Sequence, residues 1–514
     1  MKRKAVLAVV AAVLVFAGWA KPARRAPAKP AAKPAAPRAQ IAVVKSVLSC
    51  PAAERGYADT LASRVGRWLK DGGLKADAVD DRALESALAG RRLVYLVLCP
   101  NPSPAQLEAL RRYRARGGKI AALQSYSPGI AALMGVPVLV RAPGGPVSTQ
   151  AVSAGWWVPN VFASDDADEA KARLLLGLAA AAVPGSWSAA AWEARRKARL
   201  DADFAYGRAQ SPRPGEIHAV WDHTGCGLHP GDWPRTMRLL KKNGVTDLFV
   251  NVAGAGFAHY ASGVLPVSQT YLSSGDQLAA CVAAGHAAGV RVHAWILCFS
   301  AAHASTAWKN SFAKRGWRLR NKAGVLTDYL DPSRADVRWH VMKAVDEIAR
   351  KYPVDGVHLD FVRWYEGAAK PKGAAATVTA FVAAARAKVR AARPRAWLTA
   401  AVLPSHPSCV AAVAQDWKGW LDAGLVDYVA PMNYVENAKQ YAGLVAHQGD
   451  TKARARRILS GIGVTANEST LTPVQVVDQV NAARRAGFAG VALFQLDANL
   501  ATRILPILHL GLFR

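Results

Sequence analysis

From Glu216 onward the chain repeats one pattern eight times: a short apolar run, then a helical stretch. The runs fall at 217–221, 247–252, 291–299, 356–362, 397–403, 427–432, 457–464 and 491–496. Helix signals fill the gaps. Asp232 precedes a helix with Pro234 in its first turn and Gly244 just past its end. Ser333 and Asp336 predict a capping box before a helix at 337–352, and Thr472, Pro473 and Gln475 open another that stops at Gly487. Eight strand–helix units in about 280 residues match a (β/α)8 TIM barrel, whose usual length is roughly 250. The fold class is therefore α/β, and residues 215–514 form the barrel.

Upstream the pattern is different. Runs at 41–47, 92–99 and 119–123 read as buried parallel strands, separated by helical stretches at 57–71 and 104–116. Ser103 and Pro104 mark the start of the second helix. Strand, helix, strand in this order predicts a small doubly wound α/β domain over 41–184. Residues 185–214 read as a helical connector ending at Ser211-Pro212-Arg213-Pro214.

The N-terminus has the pattern of a secretory signal peptide over 1–20. Lys2-Arg3-Lys4 is a positive n-region, 5–17 an apolar h-region, and Gly18-Trp19-Ala20 offers small residues at the cleavage positions. The apolar run is short for a bilayer span. The expectation is an exported chain, periplasmic, envelope-associated or secreted, with no stable membrane insertion after cleavage. Residues 21–40 are a Pro/Ala/Lys/Arg tract that cannot bury a core and reads as an extended tether.

The formal charge is +30. Its basic residues are spread along the chain, as in Arg111-Arg112 and Arg484-Arg485, and not gathered into a stripe. This reads as a solvated basic surface, and no nucleic-acid partner is expected. Six cysteines (Cys50, Cys99, Cys226, Cys281, Cys298 and Cys409) show no metal-ligand spacing. Cys50 and Cys99 each follow an apolar run, so a disulfide and two buried thiols both stay open. With no phosphate loop, dinucleotide fingerprint or metal cluster, no cofactor and no metal are expected.

In a barrel, sites are built where strands end and loops begin. The first strand exits at Trp221-Asp222-His223 and the second at Asn251, with Tyr260 in the following loop. The third carries His293 and Trp295. The fourth, Val357-His358-Leu359-Asp360-Phe361-Val362-Arg363, ends on an acid and an arginine. The sixth exits through Met432-Asn433-Tyr434, with Glu436 two residues on, and the eighth gives Gln495 and Asp497. Aromatic rings ringed by carboxylates, amides and histidines suit a sugar polymer. Glycoside cleavage generally needs two carboxyl groups flanking the bond. Asp360 is the first choice for one, held ionised by Arg363 and supported by His358 from one layer below. For the second, Glu436 ranks ahead of Asp222 and Asp497.

Residues from about 215 to 500 resemble the family 10 glycosyl hydrolase-like proteins, a set of bacterial (β/α)8 barrels. The blocks that carry the resemblance are Glu216-Ile217-His218-Ala219-Val220-Trp221, Asp232-Trp233-Pro234, His259-Tyr260-Ala261-Ser262 with Leu265-Pro266, Val292-His293-Ala294-Trp295, Leu330-Asp331-Pro332, Val354-Asp355-Gly356-Val357-His358-Leu359-Asp360, Gln415-Asp416-Trp417, Val426-Asp427-Tyr428 and Pro431-Met432-Asn433-Tyr434. The resemblance implies a hydrolase of polysaccharide outside the cytoplasm, some relatives acting on peptidoglycan glycan strands. By analogy with α-galactosidase-like barrels it makes Asp360 the nucleophile and places the acid/base after the sixth strand. There this chain has Asn433, and its nearest carboxylate is Glu436, which leaves open a barrel that binds glycan without cutting it. The small domain resembles the glutamine-amidotransferase-like domains that accompany bacterial glycosidases. Those enzymes use a cysteine on a tight strand-to-helix turn. Here Cys99 is followed by Pro100-Asn101-Pro102, so a non-catalytic domain is expected.

Overall fold

The computed structural model describes residues 39–51, 54–139, 144–164, 166 and 168–514. The signal-peptide segment and nearly all of the tether lie outside the described residues.

The small domain is one six-stranded sheet of β1 (Ile41–Lys45), β2 (Ala76–Asp80), β3 (Leu93–Val97), β4 (Lys119–Leu123), β5 (Gln150–Val152) and β6 (Gly155–Val158), in the order β2-β1-β3-β4-β6-β5. All pairs are parallel except β5 with β6. Alternate side chains serve opposite faces. Ile41, Val43, Leu93 and Tyr95 pack with Leu61, Val65 and Leu69 of the helix Arg55–Asp71. Ala42, Val44, Val94 and Leu96 pack with Leu110 and Tyr113 of the helix Pro104–Ala115. Both faces are covered, which is why these strands read as unbroken apolar runs. Ser103 and Gln106 form a full capping box. β2 escaped the sequence reading because Ala76-Asp77-Ala78-Val79-Asp80 is an edge strand with carboxylates in place of an apolar run.

The eight expected barrel strands are all present: β7 (Ile217–Asp222), β8 (Asp247–Gly254), β10 (Arg291–Leu297), β13 (Gly356–Asp360), β14 (Trp397–Val402), β15 (Tyr428–Pro431), β16 (Leu459–Gly463) and β17 (Gly490–Phe494). They pair in parallel in that order, and β17 returns to β7. Bridges Val429–Ile458 and Met432–Gly461 close the ring between β15 and β16. Insertions add the short β9 (Phe257–Ala258) and the hairpin of β11 (Arg318–Arg320) and β12 (Leu326–Leu330). Outward residues such as Val357 and Leu359 join the helix layer, while Ala219, Trp221, Phe249 and Trp295 fill the interior.

The helix expected after Thr472 is present as Pro473–Arg485, and a Thr472–Gln475 capping box forms at its start. The one at Ser333 does not. The helix there begins at Ala335, the Ser333 hydroxyl donates to Asp331 at 2.6 Å, and Asp336 accepts Trp317 Nε1 at 2.8 Å. Asp331, in an Asp-Pro turn, captures the serine before the helix can.

The connector is the helix Ala189–Arg208, and it belongs to both cores. Trp192 is buried in the small domain. Gly207 lies against Ile507 so closely that a Cβ there would meet its carbonyl oxygen at 2.6 Å. All six cysteines are free.

A close approach marks the seam between the eighth and first strands. A Cβ on Gly490 would stand 2.0 Å from the carbonyl oxygen of Ile217 on the neighbouring strand. Gly490→Ala is therefore expected to destabilise the protein by about 1–3 kcal/mol. An unchanged urea midpoint would contradict this packing.

Candidate functional site

The barrel interior is a column of polar groups set between aromatic rings, in three levels. At the floor, Asp247 is fully buried and takes Arg291 through two bonds of 2.7 Å and His293 Nε2 at 2.8 Å. Burial works to raise this carboxyl, but the His293 and Arg291 contacts outweigh it and hold it at about 2. His293 thus sits at the start of its strand, on the floor. It does not reach the mouth, where the sequence reading placed it.

In the middle level Trp221 Nε1 donates to His358 Nε2 at 3.0 Å, and His358 Nδ1 meets Thr399 Oγ1 at 2.8 Å. Since Nε2 accepts, the proton is on Nδ1 and the ring is neutral. Complete burial keeps it so, pushing the imidazole well below its ordinary range. The ring stacks on Phe249 at 4.2 Å and 12°. His358 does lie one layer beneath Asp360, but its polar contacts run to Trp221 and Thr399.

At the top, Asp360 ends β13. Trp295 Nε1 donates to Oδ2 at 3.2 Å and the Phe361 N–H to Oδ1 at 2.6 Å. Phe361 takes φ +49°, a left-handed conformation that a side chain rarely adopts, and it turns the chain sharply over the acid. Arg363 approaches Oδ1 only to 4.0 Å and lies over the Phe361 ring at 4.4 Å. Here the sequence expectation is corrected. Burial raises the Asp360 carboxyl above its ordinary value, and Arg363 offsets this only in part. Arg363 Nε and Nη1 are themselves buried without a partner. The acid and the arginine are near neighbours that leave hydrogen-bonding capacity unfilled.

Around them lie Tyr434, stacked on Phe494 at 5.3 Å, and His223, whose ring is 5.8 Å from Trp295 and 6.1 Å from His303. Asn251 Nδ2 donates to the His223 carbonyl at 3.3 Å, and its buried Oδ1 has no partner. Met432 borders the inner cluster, and Gln495 is half-buried just past β17. Burial and nearby His303 push the His259 imidazole down to about 4, so it stays neutral above that pH.

The remaining expected residues are directed elsewhere. Asp222 is fully buried and closes its own loop, accepting from Thr224 N–H and hydroxyl at 3.0 and 2.7 Å and from Gly227 N–H at 2.7 Å. Asp497 accepts Thr465 Oγ1 at 2.6 Å and the Leu500 N–H at 2.7 Å, which makes it a helix cap. Glu436 is gripped by Arg67 of the small domain at 3.0 Å and by the Thr470 N–H at 2.9 Å. Asn433 faces the outer layer, bonded to Gln448 and Ser460. Tyr260 is buried among the outer helices, donating to Glu347 at 3.0 Å. A polar residue near a strand end can turn inward, outward or back into its own loop, and spacing alone does not separate these outcomes.

The sequence reading missed Tyr329 on β12 and Tyr365 after β13, which stack at 4.4 Å and 13° beside Phe361. Tyr329 lies in the field of both Asp360 and Glu366, and Tyr434 in that of both Asp360 and Glu468. The one available signal was the adjacency of Tyr329 to the Leu330-Asp331-Pro332 block.

Residues 232–370 match the family described as Glycosyl hydrolase-like 10. No curated protein matches the chain. Among solved structures, the PgaB (BpsB) glycoside hydrolase domain from Bordetella bronchiseptica shares 14% identity, covering 54% of this chain and 93% of that one, at a TM-score of 0.42. The catalytic domain of a beta-amylase from Paenibacillus polymyxa shares 9% identity over 58% and 98%, also at 0.42. A GH18 chitinase from Cycas revoluta shares 13% over 57% and 98%, at 0.39. The match over 232–370 contains Tyr329, Asp360 and Arg363. It spans the part of the barrel from the helix after β7 to the loop after β13.

The floor gives a pH test. A depressed carboxyl stabilises the fold above its ordinary pKa and loses that contribution as pH falls through the folded value. The wild type is expected to lose on the order of 2 kcal/mol from this group between about pH 4 and pH 2. Urea midpoints measured across that window in Asp247→Asn should lack this component. If both proteins follow one curve, the ion pair is not what holds the floor.

Proposed function

We propose that the barrel mouth takes a sugar polymer and hydrolyses its glycosidic bonds, with Asp360 as the proton-holding carboxyl. One observation carries the reading: a buried acid at the end of the fourth barrel strand, raised by desolvation and aimed by Trp295 and the Phe361 N–H. A carboxyl buried at this cost at a barrel's C-terminal face is the usual source of a general acid. Its proton would go to the leaving oxygen while the stacked Tyr329 and Tyr365 receive a sugar face. The role of Asp360 thus moves from the nucleophile of the sequence reading to the acid. Candidates for the second carboxyl are the exposed Glu468 and Glu366, whose charges act on tyrosines that Asp360 also acts on, Tyr434 for the first and Tyr329 for the second. The signal-like N-terminus supports a substrate outside the cytoplasm, cell-wall glycan included.

The small domain is proposed to be non-catalytic. Cys99 is buried and its thiol is pushed up to about 12 by that burial, far from a working nucleophile.

A second reading, glycan binding without cleavage, is favoured by a separate observation: Glu436, Asp222 and Asp497 are each engaged away from Asp360. The two readings part in one experiment. A glycan panel including purified sacculi is scored for released reducing ends. Cleavage by the wild type is expected, with Asp360→Asn lowering the rate by at least about 100-fold, the scale of a lost general acid, and with binding retained. Activity should also fall as pH rises past the elevated pKa of Asp360. Full activity in Asp360→Asn would refute the assignment. Binding with no cleavage on any substrate would establish the second reading.

A further inference from the structure

Between the helix Arg55–Asp71 and the barrel loops after β15, β16 and β17 lies a cavity of about 480 Å³, within the roughly 300–1,000 Å³ typical of small-ligand sites. Glu436, Thr470 and Asn499 line it from those three loops, so it opens at the same barrel end as Asp360. Seven cationic side chains face five carboxylates on its wall. Several are matched: Arg67 with Glu436 at 3.0 Å, Arg199 with Asp71 at 3.3 Å and Arg503 with Glu169 at 3.0 Å.

Three others are not. Among the described residues, Arg64, Lys70 and Arg195 have no carboxylate in ion-pair contact. Arg195 donates to the Gly72 carbonyl at 2.7 Å. Arg64 reaches Thr470 Oγ1 only at 3.5 Å, and its Nε is buried with no partner at all. A guanidinium fork left unfilled at the wall of a cavity matches a carboxylate or a phosphate in shape and charge. Trp68 and Trp192 line the same space and offer apolar surface beside that charge.

We propose that this cleft binds an oxyanion, a carboxylate or phosphate substituent of a glycan, through Arg64, Arg195 and Lys70. The polymer rests on the function proposed above; the anion site does not. The small domain and its connector helix then set specificity by carrying the cations that meet the charged substituent at the rim of the mouth.

Calorimetry on the full chain tests this with three probes: inorganic phosphate, trigalacturonate and uncharged maltotriose. The wild type should bind at least one anion. Arg64→Ala and Arg195→Ala should each weaken it tenfold or more without changing maltotriose. Lys70→Glu, an exposed position that does not touch Thr470, should act in the same direction and guards against a docking defect in the Arg64 variant. Preference between phosphate and trigalacturonate identifies the oxyanion. Failure of both anions to bind the wild type, or equal affinity in all variants, overturns the proposal. Asp360→Asn should keep wild-type anion affinity. If no protein cleaves any glycan yet the anion binds, only the hydrolase reading falls.

Discussion

The indole N–H of Trp221 bonded to His358 is the interaction on which the barrel interior depends. A polar ring sealed inside eight strands is costly unless each of its nitrogens is met. Trp221 meets one and Thr399 the other, so three strands far apart in sequence are tied at one level. The neutral tautomer this fixes lets Phe249 stack flat on the imidazole. With that level satisfied, the layer above can carry an acid that is not fully satisfied, and Asp360 stands there with Arg363 held off at 4.0 Å.

Charge is distributed unevenly along this column. The floor couples Asp247 closely to two cationic or proton-bearing partners, and its carboxyl is driven down. The top couples Asp360 to an indole, one backbone amide and a distant guanidinium, and its carboxyl is driven up. The same residue type, inside the same ring, is steered in opposite directions by the number and distance of its donors. That contrast separates a structural acid from a chemical one here.

The eight strands were legible because inward and outward faces are both buried, so each strand is a mainly apolar run that no turn interrupts, with a few polar groups turned inward. The small domain's central strands were legible for the same reason, and its edge strand β2 was not. Trp295 and Trp221 could be placed because they lie within strands, where alternation sets direction, and Asp360 ends its strand on the inward side of that alternation. Glu436, Asp497 and Tyr260 lie in loops, while Asp222 ends its strand as Asp360 does but turns back into its own loop. Their destinations were fixed by Arg67, by Thr465, by Glu347 and by Gly227, partners that local spacing does not reveal. Arg363 shows a different limit. Its position beside Asp360 followed from sequence, but the balance between its charge and the desolvation of the acid follows from burial alone.

The helix Ala189–Arg208 gives one core a tryptophan and receives the other core's backbone into a glycine notch. Fraying it would strip cover from both hydrophobic interiors at once. The two lobes are thereby expected to melt as one cooperative unit, in contrast to beads on a string.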